Sequence, residues 1–184
     1  MKKAVIFLAD GFEEVEALTP VDLLRRAGVE VTLVSIMESL AVKGSHGITV
    51  MAEQLFDGFD ASDMDLFILP GGMPGTLHLK ECGPLLELLK KAAVDGRTVS
   101  AICAAPTVLG KAGLLAGKNA TCYPGCEDGL TGALLSTDSV VIDGNIITSR
   151  GAGTAMPFAL TLISVLLGQE KSDQVRASIV YGHR

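Results

Sequence analysis

Tryptophan is absent from the 184-residue sequence and aromatic residues make up only 4% of it. Its core must therefore be built from Val, Ile, Leu and Ala, which suits strands buried on both faces between helices and disfavours an all-β sandwich. Basic residues are scattered, with no run longer than two, and the net charge is −6. That excludes the clustered Lys and Arg a nucleic-acid surface needs to displace counterions. Long apolar runs are missing as well. Phe158 to Leu167 is about half the roughly 20 residues of a bilayer-spanning helix. Met1-Lys2-Lys3 imitates the start of a secretion signal, but Asp10, Glu13, Glu14 and Glu16 cut the following apolar stretch short. A cytoplasmic protein without membrane or nucleic-acid partners is expected.

Cysteine is sparse. Cys82, Cys103, Cys122 and Cys126 in a chain this long, with no signal segment, predict reduced thiols rather than a disulfide framework. No Cys-x-x-Cys occurs, and Cys122-x-x-x-Cys126 has no neighbouring His, so no metal site is expected. None of the three histidines adjoins Cys103, so the base of an ordinary cysteine hydrolase is missing from its surroundings in sequence. His46, His78 and His183 read as surface residues, His46 being the least remote.

What the sequence does have is 48% hydrophobic residues, enough for one sizeable core over residues 1–184. The apolar run Lys3 to Ala9 ends at Asp10-Gly11, helical spacing follows to Ala27-Gly28, and Val29 to Ser35 is rich in β-branched residues. This is a βαβ unit. Ala41 to Ala52 alternates loosely around Gly44 and Gly47 and reads as a short hairpin or an edge excursion. Asp65 to Leu69 is a strand, Pro84 to Val94 a helix, Thr98 to Ile102 a strand and Thr107 to Leu115 a helix. Lys118 to Tyr123 reads as a further strand, Ser139 to Asp143 and Asn145 to Ser149 as a hairpin, and Thr154 to Leu167 as a long helix with a shorter one from about Ser172. The alternation predicts a mostly parallel sheet with helices on both faces. Ligands of such folds bind beyond the carboxyl ends of the strands. Three turns should meet there: Asp10 to Glu16, Pro70 to Gly75 and Ile102 to Pro106.

Cys103 follows a strand, precedes a helix and has Ala101 and Ala105 two residues away on either side. Small flanking residues are what a sharp nucleophile elbow requires. The helix start beyond it should draw the thiol below its ordinary pKa. A buried, inert cysteine at a strand end is the competing reading. Of Glu13, Glu14 and Glu16, two are explained as a solvated first helical turn, and a third that faced the thiol would be raised in pKa and able to move protons. Spacing alone does not choose which. Gly71-Gly72 lacks the Gly-Lys-Ser/Thr that would follow in a phosphate loop. It is better read as a turn that approaches the sulfur and aims an N–H at an oxyanion.

Four motifs together carry a resemblance: Ala9-Asp10-Gly11-Phe12-Glu13-Glu14-Val15-Glu16, Leu69-Pro70-Gly71-Gly72, Ala101-Ile102-Cys103-Ala104-Ala105-Pro106 and Thr148-Ser149-Arg150-Gly151. The chain resembles the ThiJ/PfpI superfamily, in particular the branch of the parkinsonism-associated deglycase and its bacterial homologues. The resemblance implies a flavodoxin-like three-layer α/β sandwich with a cysteine nucleophile elbow, usually dimeric. It assigns the nucleophile to Cys103, its carboxyl partner to Glu16, backbone donors to Gly72 and Ala104, and a pocket-rim arginine to Arg150. It further implies glyoxalase or deglycase chemistry without a cofactor, on small carbonyl compounds or glycated amines and thiols. A redox-sensing stress protein or chaperone using oxidation of Cys103 is the alternative. Tyr123-Pro124 stands where the human-type member has a pocket histidine, and His46 where it has a rim arginine. Ala104 replaces the histidine of the protease-like branch, which argues against peptidase activity. A homodimer is expected through the helix that carries Glu16, using Val15, Leu18 and Val21.

Overall fold

The computed structural model of the chain describes residues 1–182, so His183 lies outside the described residues. In chain order the elements are β1 (Lys3–Leu8), α1 (Glu14–Arg26), β2 (Glu30–Ser35), β3 (Ala41–Lys43), β4 (Thr49–Met51), β5 (Gln54–Leu55), β6 (Leu66–Leu69), α2 (Gly75–Glu81), α3 (Gly83–Val94), β7 (Thr98–Ile102), α4 (Pro106–Lys111), β8 (Asn119–Ala120), β9 (Leu134–Leu135), β10 (Val140–Asp143), β11 (Ile146–Ser149), α5 (Ala155–Leu167) and α6 (Gln169–Ser178). Seven strands form one sheet in the order β10-β11-β7-β6-β1-β2-β5, parallel throughout except for β10 at one edge.

Strict alternation along β1 explains the two-sided core. Ala4, Ile6 and Leu8 point into one layer with α1, α5 and α6; Val5, Phe7 and Ala9 point into the other with α3 and α4. In the second layer Phe7 stacks on Phe67 at a centroid distance of 6.5 Å, so the few aromatics are concentrated where volume is needed. The resulting α/β sandwich is of the flavodoxin-like class, as expected. From β1 the chain goes to β2 on one side and later to β6 on the other. The crevice at the carboxyl ends of β1 and β6 is thus the switch point of the sheet.

The structure departs from the sequence reading mostly in short elements. Helix α2 was not anticipated, because seven residues opening on glycine carry little periodicity. The strand expected over Lys118 to Tyr123 contracts to β8, paired only with β9 outside the main sheet. Helix α4 stops at Lys111 rather than Leu115, the chain turning through Gly113 at φ +75°. The last helix begins at Gln169 because Gly168, at φ +92°, ends α5 abruptly. Of the two readings of Ala41 to Ala52, the hairpin forms, as β3 and β4.

Candidate active site

Cys103 leaves β7 in a left-handed conformation, φ +67°, that costs an L-residue about 1–3 kcal/mol and persists only where neighbours over-determine it. Those neighbours are identifiable. Its N–H donates to the Ser149 carbonyl at 3.0 Å, and its carbonyl accepts from Tyr123 N–H at 2.8 Å. The turn is thus pinned from β11 on one side and from the segment after β8 on the other. Backbone N–H groups of Gly72 and Ala104 lie near enough to the sulfur to favour its thiolate form.

Glu16, in the first turn of α1, is 1% exposed. Its Oε2 accepts the Gly71 N–H at 2.9 Å, and the carboxyl faces the Cys103 thiol across Gly71. Close approach is possible because residue 71 is glycine. A β-carbon there would lie 2.6 Å from both Cys103 Cβ and Glu16 Oε2. Of the two glycines, Gly71 therefore serves the carboxylate and Gly72 the sulfur. Gly72 takes φ +93°, and a β-carbon on it would strike the Glu13 nitrogen at 2.3 Å.

Burial raises the Glu16 carboxyl to about 7, against the bonds from Cys103 and Gly71 that favour its charged form. The thiol behaves opposite to the expectation from its helix start: burial, then the Glu16 carboxylate, push it up to about 12, outweighing the Ala104 and Gly72 donors. The reason is structural. Burial of the sulfur and the neighbouring Glu16 charge outweigh helix α4, which has only six residues and so a weak dipole. The two acids cannot both ionise near neutrality, so they hold one proton between them over a wide range.

The rim residues divide. Tyr123 is exposed and packs over Gly151, where a β-carbon would lie 3.3 Å from Tyr123 Cδ2 and 3.9 Å from Glu16 Oε1. Gly151 thus separates the ring from the carboxyl. Its proximity was missed in the sequence, although it belongs to the Thr148 to Gly151 motif. Arg150 donates to the Thr137 carbonyl at 3.0 Å and, with Tyr123 and Gly151, lines a cleft of about 370 Å³ to whose lining neither Cys103 nor Glu16 contributes. His46 does not join the thiol. It is held by Glu14 and Glu13, its Nδ1 3.0 and 3.4 Å from their carboxylates. Nor is Glu14 a solvated first-turn residue: it is buried and bonded to the hairpin. Burial alone would raise its pKa, but hydrogen bonds including those from His46 and Ile48 hold it at about 2.

A family model described as the DJ-1/PfpI family matches residues 2–165. The chain is 45% identical over 181 residues to protein DJ-1 homolog B of Arabidopsis thaliana, covering 97% of this chain and 41% of that protein. It thus spans less than half the length of that plant relative. With the glutathione-independent glyoxalase DJR-1.2 of Caenorhabditis elegans it shares 36% identity, covering 95% of this chain and 94% of the other. The structure of oxidized Toxoplasma gondii DJ-1 superposes with a TM-score of 0.95 at 34% identity, over 100% of both chains. A family model that matches most of the chain, and a relative 36% identical over nearly the whole of both chains, place this chain in the DJ-1/PfpI family.

Proposed function

We propose that the chain is a cofactor-independent, Cys103-dependent glyoxalase acting on 2-oxoaldehydes such as methylglyoxal, with deglycase action on early glycation adducts. The observation that carries this reading is the buried Glu16 carboxyl, held by the Gly71 N–H and facing Cys103 on its left-handed turn across that glycine, where burial raises the carboxyl to about 7. The name of the similar Caenorhabditis elegans protein points the same way. In the proposed reaction Sγ adds to the aldehyde carbon, and the Gly72 and Ala104 N–H groups take the developing oxyanion. The hydrogen of that carbon leaves as a proton to Glu16, its bonding pair forming an enediol, and a proton returns to the adjacent ketone carbon. One carbon is oxidised to a thioester as its neighbour is reduced to a carbinol, so no redox partner is needed. Water then cleaves the thioester, releasing the 2-hydroxy acid and restoring the thiol. Early adducts on amines or thiols offer the same carbon, and there the leaving group is the amine or thiol. Lactate should form from methylglyoxal without glutathione, measured by proton NMR. Its absence at any pH from 6 to 9 would reject the reading.

Oxidation of Cys103 is a second reading, favoured by the oxidized state of the similar Toxoplasma gondii structure. A sulfinate at the same sulfur would take the same N–H donors and a protonated Glu16. Mass measurement after mild peroxide, alongside lactate assays on one preparation, separates a sensor from a catalyst.

A homodimer belongs to the same proposal. Val15 and Leu18 stand exposed on α1, with Ile48 and Met51 exposed on the hairpin that Glu14 ties to it. Val21, in contrast to the sequence reading, is only 6% exposed and packs in the chain's own core. Light scattering at micromolar concentration should report twice the 19.1 kDa of one chain. A Val15→Glu/Leu18→Glu variant should report one chain; a wild-type monomer would remove the dimer.

A further inference from the structure

The clasp between the start of α1 and the hairpin of β3 and β4 gathers four side-chain donors. His46 Nδ1 lies 3.0 Å from Glu14 Oε2 and 3.4 Å from Glu13 Oε2. Ser45 Oγ lies 3.2 Å from Glu13 Oε2, 3.3 Å from Glu14 Oε2 and 3.0 Å from His46 Nδ1. Five of the six separations thus fall between 3.0 and 3.4 Å, and the two carboxylates offer oxygens within 4.8 Å of each other. Ligands about 2.0 Å from a tetrahedral zinc ion are separated by about 3.3 Å.

The donors are also held from outside the cluster. Glu14 is 4% exposed, and its other oxygen, Oε1, accepts backbone N–H groups of His46 at 2.8 Å and Ile48 at 3.3 Å, leaving Oε2 to face the cluster. A β-carbon on Gly44 would lie 2.3 Å from Oε1, so glycine is what lets the hairpin close over this carboxylate. Ser45 is fixed by its N–H to the Phe12 carbonyl at 2.8 Å. Such outer bonds orient ligands in metal centres. Two carboxylates meet only one imidazole and one hydroxyl, so the cluster offers two negative charges and at most two hydrogens to share between them. In a single chain the imidazole is 68% exposed, which gives an ion a path from solvent.

We propose that Glu13, Glu14, His46 and Ser45 form a binding site for a divalent transition cation of the zinc class. One imidazole nitrogen with oxygen donors at tetrahedral spacing suits Zn²⁺ or Co²⁺. Mg²⁺ and Ca²⁺ require six or more oxygens at octahedral or wider spacing. The site shares no side chain with the Cys103–Glu16 pair, although the Glu13 N–H donates to the Gly71 carbonyl, and it does not depend on the glyoxalase reading.

The test uses the full chain. Titration calorimetry with Zn²⁺ should give one ion per chain, and Co²⁺ should give a tetrahedral visible spectrum without a thiolate charge-transfer band. His46→Ala, at an exposed position, and Glu13→Gln should each weaken binding by at least about tenfold, the lower end of what losing even an outer-shell partner does. Circular dichroism confirms that both variants are folded. Unchanged affinity in both folded variants would overturn the site, as would a cobalt–thiolate band lost in Cys103→Ala, or Mg²⁺ binding as tightly as Zn²⁺.

Discussion

Cys103→Ala is expected to lose lactate formation from methylglyoxal by at least about a thousandfold, because every step after substrate entry passes through the sulfur–carbon bond. The fold should survive. Alanine occupies the same left-handed turn, and the bonds that pin it, to the Ser149 carbonyl and from the Tyr123 N–H, are made by the backbone. Cys126→Ser is the matched control, a second partly exposed thiol outside the crevice, and should keep the wild-type rate. Steady-state assays with circular dichroism on both variants check the pair. Equal losses in the two would show that general thiol chemistry, not this turn, converts the aldehyde.

Glu16→Gln is expected to separate activity from stability. An amide still accepts the Gly71 N–H and donates to sulfur but cannot carry a proton, so kcat should fall by about 10²–10⁴. Iodoacetamide should still label Cys103. Stability should move the other way. The Glu16 carboxyl is raised in the fold from 4.5 to about 7, so folding binds its proton more tightly than the unfolded chain does. Its contribution is complete below about 4.5 and is lost as the pH rises through about 7. Gln removes that loss. Urea unfolding should show the variant more stable than wild type at pH 8, by on the order of 2–3 kcal/mol, with the difference shrinking toward pH 4.5. Glu16→Asp retains the charge but not the reach, and should lose activity without the gain. A Glu16→Gln protein no more stable than wild type at pH 8 would contradict the buried, raised carboxyl.

The parallel sheet and its long helices are legible in the sequence because they are periodic or sharply bounded. Ala155 to Leu167 repeats at helical spacing, and Lys3 to Leu8 and Thr98 to Ile102 are short apolar runs bounded by turn residues, which marks buried strands. Short elements are not. Helix α2 and strands β5, β8 and β9 have two to seven residues each, and tertiary contacts rather than pattern decide them. At the site, the elbow around Cys103 was legible in the small residues flanking it. The choice among Glu13, Glu14 and Glu16 came from the family resemblance. The structure supplies the physical reason: two residues, about 200° around the helix, turn Glu16 to the Gly71 N–H, while Glu14 turns to the hairpin and His46. The direction of the thiol pKa was misread because spacing reveals a helix start but not how deeply a carboxylate and a sulfur are buried together. Gly151 was overlooked for a similar reason, its closeness to Glu16 spanning 135 residues of chain.

The central claim is that Cys103 and Glu16 share one proton, and the thiolate absorbance of wild type against pH, minus that of Cys103→Ala, tests it directly. Shared titration predicts two steps of partial amplitude. One accompanies the first proton leaving the pair near about 7, its size set by how the charge divides between sulfur and oxygen. The rest appears only toward about 12, where the second proton leaves against the first charge. Iodoacetamide labelling rates across the same range assign both steps to Cys103. A single full-amplitude step near the ordinary cysteine value of 9.0 would mean that the thiol does not interact with Glu16, contradicting the proposed site.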